Sequence, residues 1–140
     1  MIGEVGWINP VHGTITALYG KRENPILKKT EFHTGIDIGA PLGTPIVAVQ
    51  TGRIKEIRTS STYGHIVLYD TIEGYLIMYA HCQKILVKEG EKVEQGQVIA
   101  TIGDTGLVTG PHLHYEILKD DINIDPIPYV SLPFIPALEP

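Results

Sequence analysis

Apolar and polar positions alternate over short runs along this chain and never settle into a sustained 3.6-residue period. β-Branched and aromatic residues mark segments 14–18, 45–49, 52–58, 65–69, 75–81, 97–102 and 112–118 as strands. Turn residues separate them: Glu73-Gly74, Glu89-Gly90, Gln95-Gly96, Asp104-Thr105-Gly106 and Gly110-Pro111. Many short strands at this spacing predict an all-β fold, an antiparallel sandwich or a partly open barrel. A single helical turn before Val87 is the only helix expected. Five of the ten prolines follow Ile124, so the chain end over 130–140 reads as an extended Pro-rich tail. Residues 1–6 read as a leader, leaving 7–129 as one domain without internal repeats.

Segment 87–100, with its Glu89-Gly90 and Gln95-Gly96 turns before a buried strand, resembles the hairpins of biotinyl/lipoyl carrier domains. Those carriers present a modified lysine at a hairpin tip beside Met or Asp. No such triplet occurs here, so the likeness predicts architecture and not carrier function.

At 140 residues the chain is long enough for one domain with a real core. Its net charge of −5 argues against a nucleic-acid partner, which would call for a basic patch. The same charge gives no pull toward anionic membranes or wall polymers. Apolar runs such as 46–49 and 135–138 are far too short to span a bilayer. No basic segment followed by an apolar stretch opens the sequence. The expectation is therefore either an internal protein or a domain whose targeting segment lies outside this chain. Cys82 is the one cysteine, which excludes an intrachain disulfide and suits a small buried hydrophobe.

Candidate chemistry concentrates in histidines. On a strand, His112, His114 and Glu116 share one face while Leu113, Tyr115 and Ile117 share the other. The apolar set can enter a core and leave two imidazoles side by side. His33 and Asp37 stand four apart, and Gly35 and Gly39 around Ile36 and Ile38 favour a strand or extended loop over a helix. The helical H-E-x-x-H pattern of zinc proteases is absent. His81 ends the run 75–81, where alternation aligns it with Tyr75, Ile77 and Tyr79. Four histidines and a carboxylate suffice for a mononuclear zinc with an open water position and two imidazoles to spare.

The string Phe32-His33-Thr34-Gly35-Ile36-Asp37-Ile38-Gly39-Ala40-Pro41, the triplet Tyr79-Ala80-His81 and the run Gly110-Pro111-His112-Leu113-His114-Tyr115-Glu116 together resemble the lysostaphin-type zinc endopeptidases. These bacterial enzymes cut peptide cross-links of peptidoglycan. The resemblance runs in order over 7–129 and implies a zinc metallopeptidase domain there. It implies His33, Asp37 and His114 as zinc ligands, with His112 and His81 as the catalytic imidazoles. Zinc lowers the pKa of bound water from about 15.7 toward about 7. One of the two free imidazoles, with unperturbed pKa about 6.5, would take the water proton. Which of them is the base stays open at this level. His12 and His65 fall outside the matched motifs and read as structural or exposed. Tyr63 is a candidate groove-lining aromatic.

The resemblance further implies a peptidoglycan peptide as substrate and an extracytoplasmic place of action, in the cell wall or envelope. A protein partner or regulatory segment would then lie outside this chain. Lys28-Lys29-Thr30-Glu31 offers no Tyr or Arg to support substrate, leaving Arg22 as the nearest candidate. The loops at 59–62 and after Ile102 are short, predicting a shallow, open groove. The alternative function is a non-catalytic or partner-activated domain of an envelope or sporulation complex. Such domains usually lack a ligand or a catalytic histidine, whereas all five positions are intact here.

Overall fold

The computed structural model describes residues 6–24, 29–106, 108 and 110–136 of the chain. Twelve strands form among them: β1 (Thr14–Ala17), β2 (Gly20–Asn24), β3 (Lys29–His33), β4 (Ile36–Gly39), β5 (Pro45–Val47), β6 (Gly52–Ser60), β7 (Gly64–Thr71), β8 (Tyr75–Ile85), β9 (Lys92–Val93), β10 (Val98–Ile102), β11 (His112–Lys119) and β12 (Ile122–Ile124). A 3₁₀ turn at Ile127–Tyr129 is the only helical element among the described residues. Ten strands make one antiparallel sheet along the path β1-β4-β11-β8-β7-β6-β9, with β12 beside β11 and β10 joining β5 to β8. The ends of that path do not pair, so the sheet is open. This is the all-β, partly open antiparallel architecture that the alternation predicts.

Central strands are buried on both faces, and the two faces differ in kind. The larger core takes Val67 and Tyr69 from β7, Ile77 and Tyr79 from β8, and Leu113, Tyr115 and Ile117 from β11. Leu113 and Ile117 are fully buried, each contributing about 1.5–3 kcal/mol. On the opposite face a small cluster of Ile66, Leu68, Met78 and Ala80 floors the sheet. Beside it, β11 presents His112, His114 and Glu116, with His114 opposite Ala80 and Glu116 opposite Met78. The apolar face anchors the strand, and the polar face is left for chemistry.

Several expected elements shift. The strand expected over 45–49 ends at Val47, because the Val49 N–H is taken by the Tyr69 hydroxyl at 3.0 Å. The helical turn before Val87 does not form. β8 runs on to Ile85, and the Leu86 N–H donates to the Ile99 carbonyl at 2.9 Å. Strands β2 and β3 escaped the alternation because their hairpin stands apart from the large sheet, and the side chains of 29–32 are exposed. Neither strand carries an apolar period in its sequence. Near the chain end, the Ile15 N–H donates to the Pro133 carbonyl (2.8 Å) and the Ile135 N–H to the Ile15 carbonyl (2.9 Å). That segment thereby covers the outer edge of β1. Positions 1–5 of the expected leader and 137–140 of the tail lie outside the described residues.

One close approach fixes where the functional strands meet. A Cβ added at Gly35 would run into the Tyr115 carbonyl oxygen and come within 2.9 Å of Glu116 Cγ. Only glycine lets the β3–β4 link lie against β11. Gly35→Ala is expected to lower unfolding free energy by about 1–3 kcal/mol through overpacking. Gly110→Ala, which meets nothing within 4 Å, is expected to stay within about 0.5 kcal/mol of the parent. Urea midpoints check this, and equal midpoints for the two variants would contradict it.

Candidate metal centre

β4 and β11 pair so that Asp37 stands directly opposite His114 and Gly39 opposite His112. Residues facing each other on neighbouring antiparallel strands bring their side chains within contact range. His33, at the end of β3, approaches the same carboxylate across the Thr34-Gly35 link. His33 Nε2 lies 3.3 Å from Asp37 Oδ1, and His114 Nδ1 lies 3.0 Å from it. One ligand atom from each of the three residues lies within 4.8 Å of the others. Donors bound at 2.0–2.1 Å around a tetrahedral zinc stand about 3.3 Å apart. The two separations match that span, so the donor set fits such an ion by chemistry and by spacing.

Backbone carbonyls fix the ring orientations. A carbonyl oxygen only accepts, so a ring nitrogen beside one carries the hydrogen. His33 Nδ1 donates to the Leu18 carbonyl (2.9 Å), His112 Nδ1 to the Gly110 carbonyl (3.0 Å) and His81 Nδ1 to the Thr105 carbonyl (2.7 Å). In the neutral rings each Nε2 is then a bare lone pair. His112 Nε2 lies 3.8 Å from Asp37 Oδ1. The His81 ring lies 4.8 Å from that of His112 and 6.3 Å from that of His114. All five histidine and carboxylate positions expected from the sequence therefore converge on one cleft.

His81 reaches this cleft by a route the sequence pattern does not give. Strict alternation would send it with Tyr75, Ile77 and Tyr79 toward the apolar core. Instead β8 carries one extra residue here: His65 pairs with Cys82 and Val67 with Tyr79. His81 takes a left-handed backbone, φ 62°, and its N–H donates to the Tyr63 carbonyl at 2.7 Å. A bulge of this kind re-aims a side chain. Thr105 supports the bulge, with its hydroxyl donating to the Cys82 carbonyl (2.8 Å) and accepting from the His65 N–H (3.1 Å). A Cβ at Gly64 would collide with Thr105, so glycine is needed for this seat.

The cleft has a volume of about 590 Å³ and is walled by Phe32, Thr62, Tyr63 and Val108 around the His and Asp side chains. Tyr63 stacks on His114 at 5.4 Å between ring centres and Phe32 is half exposed. His12 and His65 do not line it, and His65 Nδ1 pairs with the Thr59 hydroxyl. The side chain of Arg22 lies outside the described residues. Cys82 is fully buried and burial pushes its thiol up to about 12, as befits a packing residue. Three polar partners of the cluster were not foreseen: Thr34, Glu116 and Asn123. Glu116 Oε2 sits 2.8 Å from His114 Nε2. Its place on the face of His112 and His114 was the signal that could have found it.

Charge ties the cluster together. Burial opposes ionisation of Asp37, but the His114 hydrogen bond, together with the His33 ring in its protonated form, outweighs it and holds the carboxyl far below its usual range. Burial likewise disfavours protonated His114, yet the Asp37 and Glu116 carboxylates prevail and raise it to about 9. His81 moves the other way. Burial lowers its pKa, assisted by the nearby His112 and His114, so it stays neutral at neutral pH.

An open antiparallel sheet that carries a His/Asp/His cluster with two further imidazoles beside it is the layout of a metallopeptidase domain. The model of Peptidase family M23 matches residues 31–126, and the chain belongs to that family. Over 106 residues it is 42% identical to the peptidoglycan DD-endopeptidase ShyC of Vibrio cholerae, covering 76% of this chain and 24% of that protein. The crystal structure of a zinc-containing peptidase from Vibrio cholerae superimposes with a TM-score of 0.83 at 33% identity, covering 93% of this chain and 41% of that one. The catalytic domain of lysostaphin from Staphylococcus simulans gives 0.74 at 30% identity, covering 84% and 91%. The chain spans about a quarter of the length of the first curated relatives it matches.

The raised His114 pKa gives stability that is full below about pH 6.5 and lost as pH climbs through about 9. The depressed Asp37 pKa gives stability that is full above about pH 4 and lost only in strong acid. Chelator-stripped protein is expected to melt highest between about pH 4 and 6.5 and several degrees lower by pH 9. His114→Ala should flatten the alkaline limb. A melting temperature that does not change between pH 6 and 9 in the parent would contradict the coupling.

Proposed function

We propose that this domain is a zinc-dependent endopeptidase that hydrolyses peptide cross-links or stem peptides of bacterial peptidoglycan outside the cytoplasm. The observation that carries the reading is the convergence of His33 Nε2, Asp37 Oδ1 and His114 Nδ1 beside two imidazoles with bare Nε2 atoms. Those three donors would hold the ion, and His33 and His114 are neutral ligands when metallated, as zinc requires. When bound, zinc supplies Lewis acidity that lowers the pKa of a coordinated water and polarises a peptide carbonyl.

The remaining work falls to residues of the chain. His112, fixed through Nδ1 to the Gly110 carbonyl, presents Nε2 beside the donor cluster as the base and returns the proton to the leaving amine. His81 is held neutral on its bulge with Nδ1 donating to Thr105, so its bare Nε2 accepts a hydrogen bond in the same proton network as His112. Phe32, Tyr63 and Val108 would orient an extended peptide in the cleft. Net charge of −5 gives this domain no long-range attraction to an anionic polymer. The relatives named as DD-endopeptidases favour a cross-link of that type as substrate.

Mass spectrometry of purified peptidoglycan, digested by zinc-loaded protein with a chelated control, tests this directly. New amine termini that vanish with chelator are expected. One bound zinc per chain without products would turn the reading toward a partner-activated or non-catalytic domain. His114→Ala is expected to lose zinc and turnover together. His112→Ala should keep zinc and lose about 10²–10⁴-fold in kcat. Full activity in His112→Ala would overturn its role as base.

A further inference from the structure

Glu116 is buried, and its carboxylate is spoken for at both ends. Oε2 lies 2.8 Å from His114 Nε2 and accepts a 2.7 Å hydrogen bond from the Thr34 hydroxyl. Oε1 accepts a 2.9 Å hydrogen bond from Asn123 Nδ2, which also donates to the Thr34 carbonyl at 3.1 Å. A buried charge without partners is costly, so this degree of satisfaction marks a built arrangement. Thr34 lies between His33 and Asp37, whereas Glu116 follows His114 on β11. A single carboxylate thus joins the two segments that supply the three metal donors.

We infer that Glu116 is a positioning residue of the metal centre, acting on His114 and, through Thr34, on the link that carries His33 and Asp37. The inference rests on the metal reading given above. Its chemistry is one of hydrogen placement. Carboxylates face both ring nitrogens of His114, Asp37 at Nδ1 and Glu116 at Nε2, and with Nδ1 given to the ion the one hydrogen of the neutral ring would lie on Nε2, where Glu116 accepts it. Orientation of a metal-ligating imidazole by a carboxylate on its second nitrogen fixes the ring and raises its basicity. The same carboxylate clamps the β3–β4 link against β11, where Gly35 already permits close approach. Asn123 on β12 holds the carboxylate from the far side.

Glutamine is the informative replacement because it keeps the shape. Its amide NH₂ must face either the Asn123 amide or the His114–Thr34 side, so it cannot accept at both ends as the carboxylate does. Zinc affinity is measured by competition with a chromophoric chelator at one pH, for the parent, Glu116→Gln and Thr34→Val. Circular dichroism and melting of the stripped proteins are recorded alongside. Glu116→Gln is expected to bind zinc about 10–100-fold more weakly with its strand spectrum unchanged. Thr34→Val, which removes one hydrogen bond to the carboxylate, should show a smaller loss in the same direction. Parental affinity in folded Glu116→Gln overturns the inference. Should that variant fail to fold, parental affinity in Thr34→Val overturns it instead. Failure of the parent itself to take up zinc would overturn the metal reading, and the inference with it.

Discussion

The pairing of β4 with β11, Asp37 opposite His114, is the constraint on which the rest of the structure depends. It places a carboxylate from one strand and an imidazole from its neighbour in direct contact. It also brings the β3–β4 link, with His33, against the same face. The pairing tolerates no side chain at Gly35, since the Tyr115 carbonyl and Glu116 occupy that space. A slip of one residue would turn Asp37 toward the apolar core and the isoleucines toward the cleft. Register in this pair is therefore register of the site.

What holds the register is the other face. Ile36 and Ile38 of β4 and Leu113, Tyr115 and Ile117 of β11 are all fully buried in the larger core. Their burial commits both strands to one orientation, and the alternate positions then have nowhere to go but the polar side. There, the cost of burying charge is offset by dense pairing: His33, His114 and Asp37 contact one another, and Glu116 is satisfied by His114, Thr34 and Asn123. Site and core are two sides of the same strands. A change that loosens one will be felt in the other.

Much of this was legible in the sequence because alternation reports which face is buried. β6, β7, β8 and β11 were marked by it, as was the shared face of His112, His114 and Glu116. The polar β2–β3 hairpin was not, since it forms a sheet of its own with the side chains of 29–32 exposed and has no apolar period to show. His81 was found by motif but aimed by a bulge, and nothing in Tyr79-Ala80-His81 announces an extra residue in the ladder. Thr34 and Glu116 are 82 positions apart, so their hydrogen bond exists only once β4 and β11 are paired. Local pattern gave the strands, and long-range register assembled the cluster.

X-ray absorption at the zinc edge of the loaded protein tests the proposed centre most directly. Nitrogen and oxygen scatterers at about 2.0–2.1 Å are expected, with the multiple-scattering signature of two imidazoles. A sulfur scatterer near about 2.3 Å, or three and more imidazoles, would contradict a centre built from His33, Asp37 and His114.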